Sequence, residues 1–107
     1  QIPALAAAGC RVVAPNQRGY AGSDKPPDVR AYALGRLVED VTRLIEAEGG
    51  GPAHLVGHDW GGLVAWSVAA LAPGHVASLT VLDAPHPAVA GPYVRRRPTQ
   101  ALRSLYI

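Results

Sequence analysis

Apolar and polar positions along the chain sort into short runs with two different periods. Ile2, Leu5 and Ala8 have helical spacing, and residues 1–8 read as the end of a helix stopped by Gly9 at the usual C-cap position. Cys10-Arg11-Val12-Val13-Ala14-Pro15 is a short apolar run with β-branched residues and predicts a buried strand. Residues 16–27, rich in Gly, Pro, Ser and Asp, predict a loop. From Ala31 to Glu48, apolar residues recur at Leu34, Leu37, Val38, Val41, Leu44 and Ile45, one stripe of an amphipathic helix that Gly49-Gly50-Gly51-Pro52 ends. Ala53 to His58 predicts a second strand, Leu63 to Leu71 a helix apolar nearly all round, and Ser78 to Leu82 a third strand. The stretch from Ala84 to Pro98 holds Pro85, Pro87, Pro92 and Pro98 and predicts an irregular connector. Thr99 to Ile107 predicts the start of another helix, with Leu102, Leu105 and Tyr106 on one side. Strands alternating with helices predict βαβ units and a parallel sheet, an α/β fold.

Composition narrows the class. At 107 residues the chain is long enough for one small domain, and 49% hydrophobic with 17% charged residues is a globular balance. No apolar run approaches the roughly 18 residues of a membrane span. No charged-then-apolar leader opens the chain, which says little where the start is cut; a single cysteine, Cys10, excludes an internal disulfide and a Cys-based metal site and fits a cytoplasmic protein. A net charge of +2 and one basic cluster, Arg95-Arg96-Arg97 beside Pro98, with only Tyr93 as an aromatic neighbour, argue against nucleic-acid binding. The absence of Met, an apolar pattern already under way at residue 1, and a stop at Tyr106-Ile107 without a helix-stop signal predict that both ends are cut from a longer protein.

Chemistry concentrates in Leu55-Val56-Gly57-His58-Asp59-Trp60-Gly61-Gly62-Leu63. Strand, sharp turn and helix succeed one another, with glycines two before and two after Asp59. This is the G-x-nucleophile-x-G elbow with Asp in place of Ser. Glycines are expected here because strand and helix close on each other around a strained turn. An aspartate before a helix is also a favoured N-cap, the plainer reading of Asp59. A nucleotide loop does not fit: Gly57-x-x-x-Gly61-Gly62 lacks the dinucleotide spacing, and no Gly-Lys-Ser/Thr follows. Ser23, Ser67 and Ser104 are not placed as elbow nucleophiles.

Aspartate in the elbow selects a different substrate from serine. A carboxylate is ionised at neutral pH and attacks without help from a base. Attack by serine on a saturated carbon would leave an ether, which water does not readily undo. Attack by aspartate leaves an ester, and water can then strike the carboxyl carbon of Asp59 itself. The substrate predicted is therefore an epoxide or an alkyl halide.

With Val13-Ala14-Pro15-Asn16-Gln17-Arg18-Gly19-Tyr20-Ala21-Gly22-Ser23, the elbow, and Ala84-Pro85-His86-Pro87 in this order, the sequence resembles the epoxide hydrolases of the α/β-hydrolase superfamily. The resemblance implies a partial α/β-hydrolase fold: residues 1–98 the central part of the core, a parallel sheet flanked by helices, and 99–107 the start of a helical cap. It implies Asp59 as nucleophile, the backbone N–H of Trp60 as half of the oxyanion hole with its indole lining the pocket, and Tyr106 as a cap tyrosine that hydrogen-bonds the epoxide oxygen. Ordinary packing remains the alternative for the Trp60 indole and for Tyr106. Epoxide and water are the implied partners, with no cofactor, no metal and no membrane. His54, His58, His75 and His86 are not candidates for the base, which the family carries far downstream; His54 and His58 read as structural and His86 as shaping its loop. An oxyanion loop before Gln1, and a second cap tyrosine, an acid and the catalytic His after Ile107, are implied as well, together with an upstream strand between residues 10–15 and 53–58. The 107 residues alone are thus expected to show no turnover and to fold poorly. Haloalkane dehalogenases share the Asp-Trp-Gly elbow but typically lack the cap tyrosine, and a non-catalytic binding relative would keep the fold alone.

Overall fold

The structure, a computed structural model, describes residues 1–97 and Thr99. The chain divides into two compact units, Gln1–Tyr32 and Ala33–Ile107. The first opens with α1 (Ile2–Ala7), which ends where glycine allows it. Gly9 takes φ 88°, its N–H donates to the Ala6 carbonyl and the Cys10 N–H to the Leu5 carbonyl, each at 3.0 Å, the paired bonds of a Schellman stop. The expected strand over 10–15 is not formed. Residues 10–17 are irregular, and no ladder partner for them exists among the described residues, without which an apolar run has no strand hydrogen bonds to make. The loop beyond is braced from within: Gly19 N–H donates to Asp24 O at 2.9 Å, Ser23 Oγ to Asn16 O at 2.6 Å, and Arg18 Nη1 to Ala31 O at 3.0 Å. A 3-10 turn, Val29–Tyr32, closes the unit.

The second unit carries the site. It runs α2 (Leu34–Ala47), β1 (Ala53–His58), α3 (Trp60–Leu71), a 3-10 turn Pro73–His75, β2 (Val76–Leu82) and α4 (Pro87–Arg96). The two strands pair in parallel, in register from His54↔Ser78 to His58↔Leu82. Helix α3 crosses between them and packs on both strands and on α2. Its apolar circumference is explained by that position: Val64, Ala65 and Val68 are buried, Val68 completely, and Val38 from α2 joins Val64 and Val68 in the core. Among the described residues no helix is long and apolar enough to cross a membrane.

Several boundaries differ from expectation, and β2 starts at Val76 rather than Ser78. Helix α2 starts at Leu34, because the 3-10 turn occupies the residues before it, and α3 starts at Trp60, so Gly61 and Gly62 lie inside the helix despite their low helix propensity. The connector from Ala84 to Pro98 is not irregular throughout, since Pro87–Arg96 is helical. Pro87 sits in the first turn, where a missing N–H costs nothing, and His86 caps that turn: its Nδ1 accepts the Ala88 N–H at 3.1 Å. Pro92 lies inside the helix and leaves one bond of it unmade. The helix expected over 99–107, apart from Thr99, lies outside the described residues.

Candidate active site

The end of β1 is where the chain turns most sharply. His58 pairs with Leu82, and the Asp59 N–H continues the ladder by donating to the Leu82 carbonyl at 3.2 Å. Asp59 then takes φ 52° and ψ −122°, the conformation of the first central residue in a type II′ turn and one that favours glycine. The Leu63 N–H donates to the Asp59 carbonyl at 3.1 Å and starts α3. Backbone bonds on both sides therefore hold the turn. The Asp59 side chain takes no part: it is exposed and makes no cap hydrogen bond to the helix. The N-cap reading accounts for the position of Asp59 but not for its carboxylate, which is left facing solvent at a helix N-terminus. There the first N–H groups of α3 have no intrahelical acceptor and the local field favours negative charge.

The glycines on either side are required by close approach. A Cβ on Gly57 would run into the Gly61 carbonyl oxygen and stand 2.8 Å from Ala65 Cβ. One on Gly62 would stand 2.6 Å from Ala84 Cβ and 3.0 Å from Val81 Cγ1. The strained dihedral belongs to Asp59; the glycines let strand, helix and the segment leaving β2 come together around it.

Trp60 is the first residue of α3, 50% exposed, so its indole lies open beside the elbow rather than in the core. Tyr106 lies outside the described residues. Three of the four histidines are engaged elsewhere. His54 Nδ1 lies 2.7 Å from Ser78 Oγ across the strand pair, His75 Nε2 lies 3.1 Å from Glu46 Oε1, and His86 caps α4. His58 ends β1, exposed.

Two residues near the elbow carry no signal in the hydrophobic pattern. Asp83, one step beyond β2, has φ 54°, so adjacent parallel strands both end in an aspartate with left-handed backbone. Aspartate tolerates positive φ better than most residues, which is why nothing in the composition marks it. Trp66, on α3, sends its indole N–H to the Ala84 carbonyl at 3.2 Å, a contact between residues far apart in sequence.

Asp59 thus stands exposed in a strand–turn–helix at the carboxyl ends of two parallel strands. The family model described as "alpha/beta hydrolase fold" matches residues 1–102. Epoxide hydrolase A of Mycobacterium tuberculosis is 44% identical over 106 residues, 99% of this chain and 32% of that protein. Epoxide hydrolase 4 of Mus musculus is 40% identical over 96 residues, 90% of this chain and 27% of that protein. An epoxide hydrolase from Bacillus megaterium, solved with its diol product, superposes with a TM-score of 0.79 at 37% identity, covering 84% of this chain and 32% of that one. The chain thus spans about a third of the length of the relatives it matches. Its elbow, its parallel strand pair and this match over nearly every residue place it in the α/β-hydrolase fold family.

Proposed function

We propose that the protein carrying this chain is an epoxide hydrolase that works through an ester of Asp59. One Asp59 carboxylate oxygen attacks an epoxide carbon, the C–O bond of the ring breaks, and the departing oxygen takes a proton from a tyrosine, Tyr106 among those that serve. A water activated by a histidine downstream of this chain adds to the carboxyl carbon of Asp59. The Trp60 N–H supplies half of the oxyanion hole for the charge that develops there. Collapse of that intermediate breaks the acyl–oxygen bond, returns the carboxylate and releases a vicinal diol. Residues 1–98 belong to the hydrolase core and 99–107 begin the cap that brings Tyr106 to the substrate. The chemistry takes only epoxide and water, and a reducing cytoplasm suits the one exposed thiol, Cys10.

The observation that carries this reading is the exposed carboxylate of Asp59, held in a strained turn by backbone bonds and given no structural task of its own. The names of the relatives support the substrate class.

A haloalkane dehalogenase would use the same elbow, so the test sets the two substrates side by side. The whole protein should convert styrene oxide to its diol and release no halide from a chloroalkane. Tyr106→Phe should lower epoxide turnover about tenfold without abolishing it, since a second tyrosine would share the oxygen. Halide release without diol formation would decide for the dehalogenase.

A further inference from the structure

We propose that Trp66 and His86 act as one clamp that positions the segment leaving β2 over the nucleophile elbow. They are positioning residues for substrate binding; the kinetic part of the proposal rests on the epoxide hydrolase reading, and the structural part does not.

Gly62 and Trp66, four residues apart on α3, share one face of the helix whose first turn is the elbow. That face receives the segment twice. At Gly62 the contact is steric, Ala84 Cβ standing where a side chain would otherwise be. At Trp66 it is a hydrogen bond from the indole N–H to the Ala84 carbonyl at 3.2 Å, with the ring half-buried. The same indole meets the His86 ring edge to face, centroids 4.6 Å apart and planes at 78°, a favoured geometry for ring pairs. His86 Nδ1 in turn accepts the Ala88 N–H at 3.1 Å and sets the direction in which α4 leaves.

One tryptophan therefore grips the segment at its start, through Ala84, and at its end, through His86. Asp83, with φ 54°, turns the chain into the clamp just after β2. The start and direction of α4 follow from these contacts. A displacement of about 1 Å in a group that holds substrate is enough to cost up to about 10²-fold in rate. The clamp touches neither the Asp59 carboxylate nor its backbone bonds, so it bears on how substrate is held more than on the attack.

The test uses the whole protein and three variants. Trp66→Phe keeps a ring and removes the N–H; His86→Phe keeps a ring and removes the cap acceptor; His86→Asn restores an acceptor that caps helices well. Trp66→Phe and His86→Phe should raise KM for styrene oxide about tenfold and leave kcat within about threefold, while His86→Asn, which keeps the cap acceptor but loses the ring contact with Trp66, should recover only part of that loss, with KM about threefold above wild type. Amide hydrogen exchange gives a readout without substrate. In Trp66→Phe the amides of Ala88, Val89 and Ala90 should exchange about tenfold faster, although the substitution is on another helix, with the amides of β1 unchanged. Unaltered exchange at Ala88 in that variant would overturn the clamp, and so would a fall in kcat at constant KM, or a wild-type KM in His86→Asn, which would leave the ring contact no part in it. If wild-type protein makes no diol, the substrate reading falls and the exchange measurement decides the clamp alone.

Discussion

Replacing Asp59 with alanine should lower diol formation by the whole protein at least about 10⁴-fold, because the proposed route attacks the ring through the Asp59 carboxylate. Folding should survive the change: the carboxylate is exposed and makes no cap hydrogen bond, and the bonds that hold the turn come from the backbone. Loss of turnover with an unshifted melting temperature would therefore report chemistry alone. The ester route makes a sharper demand on wild-type protein. In a single turnover in heavy-oxygen water, both oxygens of the diol come from unlabelled sources, one from the epoxide and one from Asp59. The heavy atom should appear in the Asp59 carboxylate, detectable as a mass increase in the peptide that contains it. Near-normal turnover by Asp59→Ala, or label in the first-turnover diol, would set the ester route aside in favour of direct attack by water.

The second large effect is on stability. Gly57→Ala should destabilise the whole protein by about 3 kcal/mol, at the upper end of what overpacking usually costs. The new methyl would collide with the Gly61 carbonyl oxygen, backbone inside a helix that is itself packed on both strands, so little can move to relieve it. Gly62→Ala should cost less, about 1–2 kcal/mol, because its neighbours at 2.6 and 3.0 Å are the side-chain atoms Ala84 Cβ and Val81 Cγ1, and the segment carrying Ala84 can yield. Gly22→Ala, which has open space and no positive φ, serves as the control and should be near neutral. Denaturant midpoints at constant slope would rank the three. A Gly57→Ala protein as stable as wild type would mean that strand and helix do not approach so closely.

How much of this was legible beforehand depended on whether the cause was local. Strand β1 falls on Ala53–His58 as the pattern predicts, because a proline and glycine run bounds it on one side and the elbow on the other. The elbow was legible for the same reason: its glycines and its aspartate are neighbours in the chain. Trp60-Gly61-Gly62 carried no helix signal, and these residues are helical because the contacts across Gly57 and Gly62 need a helix there, tertiary packing overriding propensity. Four prolines hid α4, since its start depends on a His86 cap that only the folded geometry reveals. Residues 10–15 have the composition of a strand, but a ladder is made by two strands, and half of it is not enough. The Trp66–Ala84–His86 contacts join residues distant in sequence and had no periodicity to betray them.

On the proposed mechanism, the backbone at Asp59 sets heat resistance and reactivity against each other. A non-glycine residue held in such a region costs about 1–3 kcal/mol, whereas glycine there costs about 0.5–1 kcal/mol in lost chain freedom. With φ 52° and no side-chain hydrogen bond to forfeit, Asp59→Gly should come out more stable than wild type by about 1 kcal/mol while inert toward epoxides. A denaturant midpoint below that of wild type would show that the aspartate is relaxed in its turn. The sign matters to anyone evolving this protein in the laboratory. On the proposed mechanism, selection for thermal tolerance alone would favour clones that have lost the Asp59 carboxylate and with it turnover, so a screen for hardier variants has to read turnover in the same well.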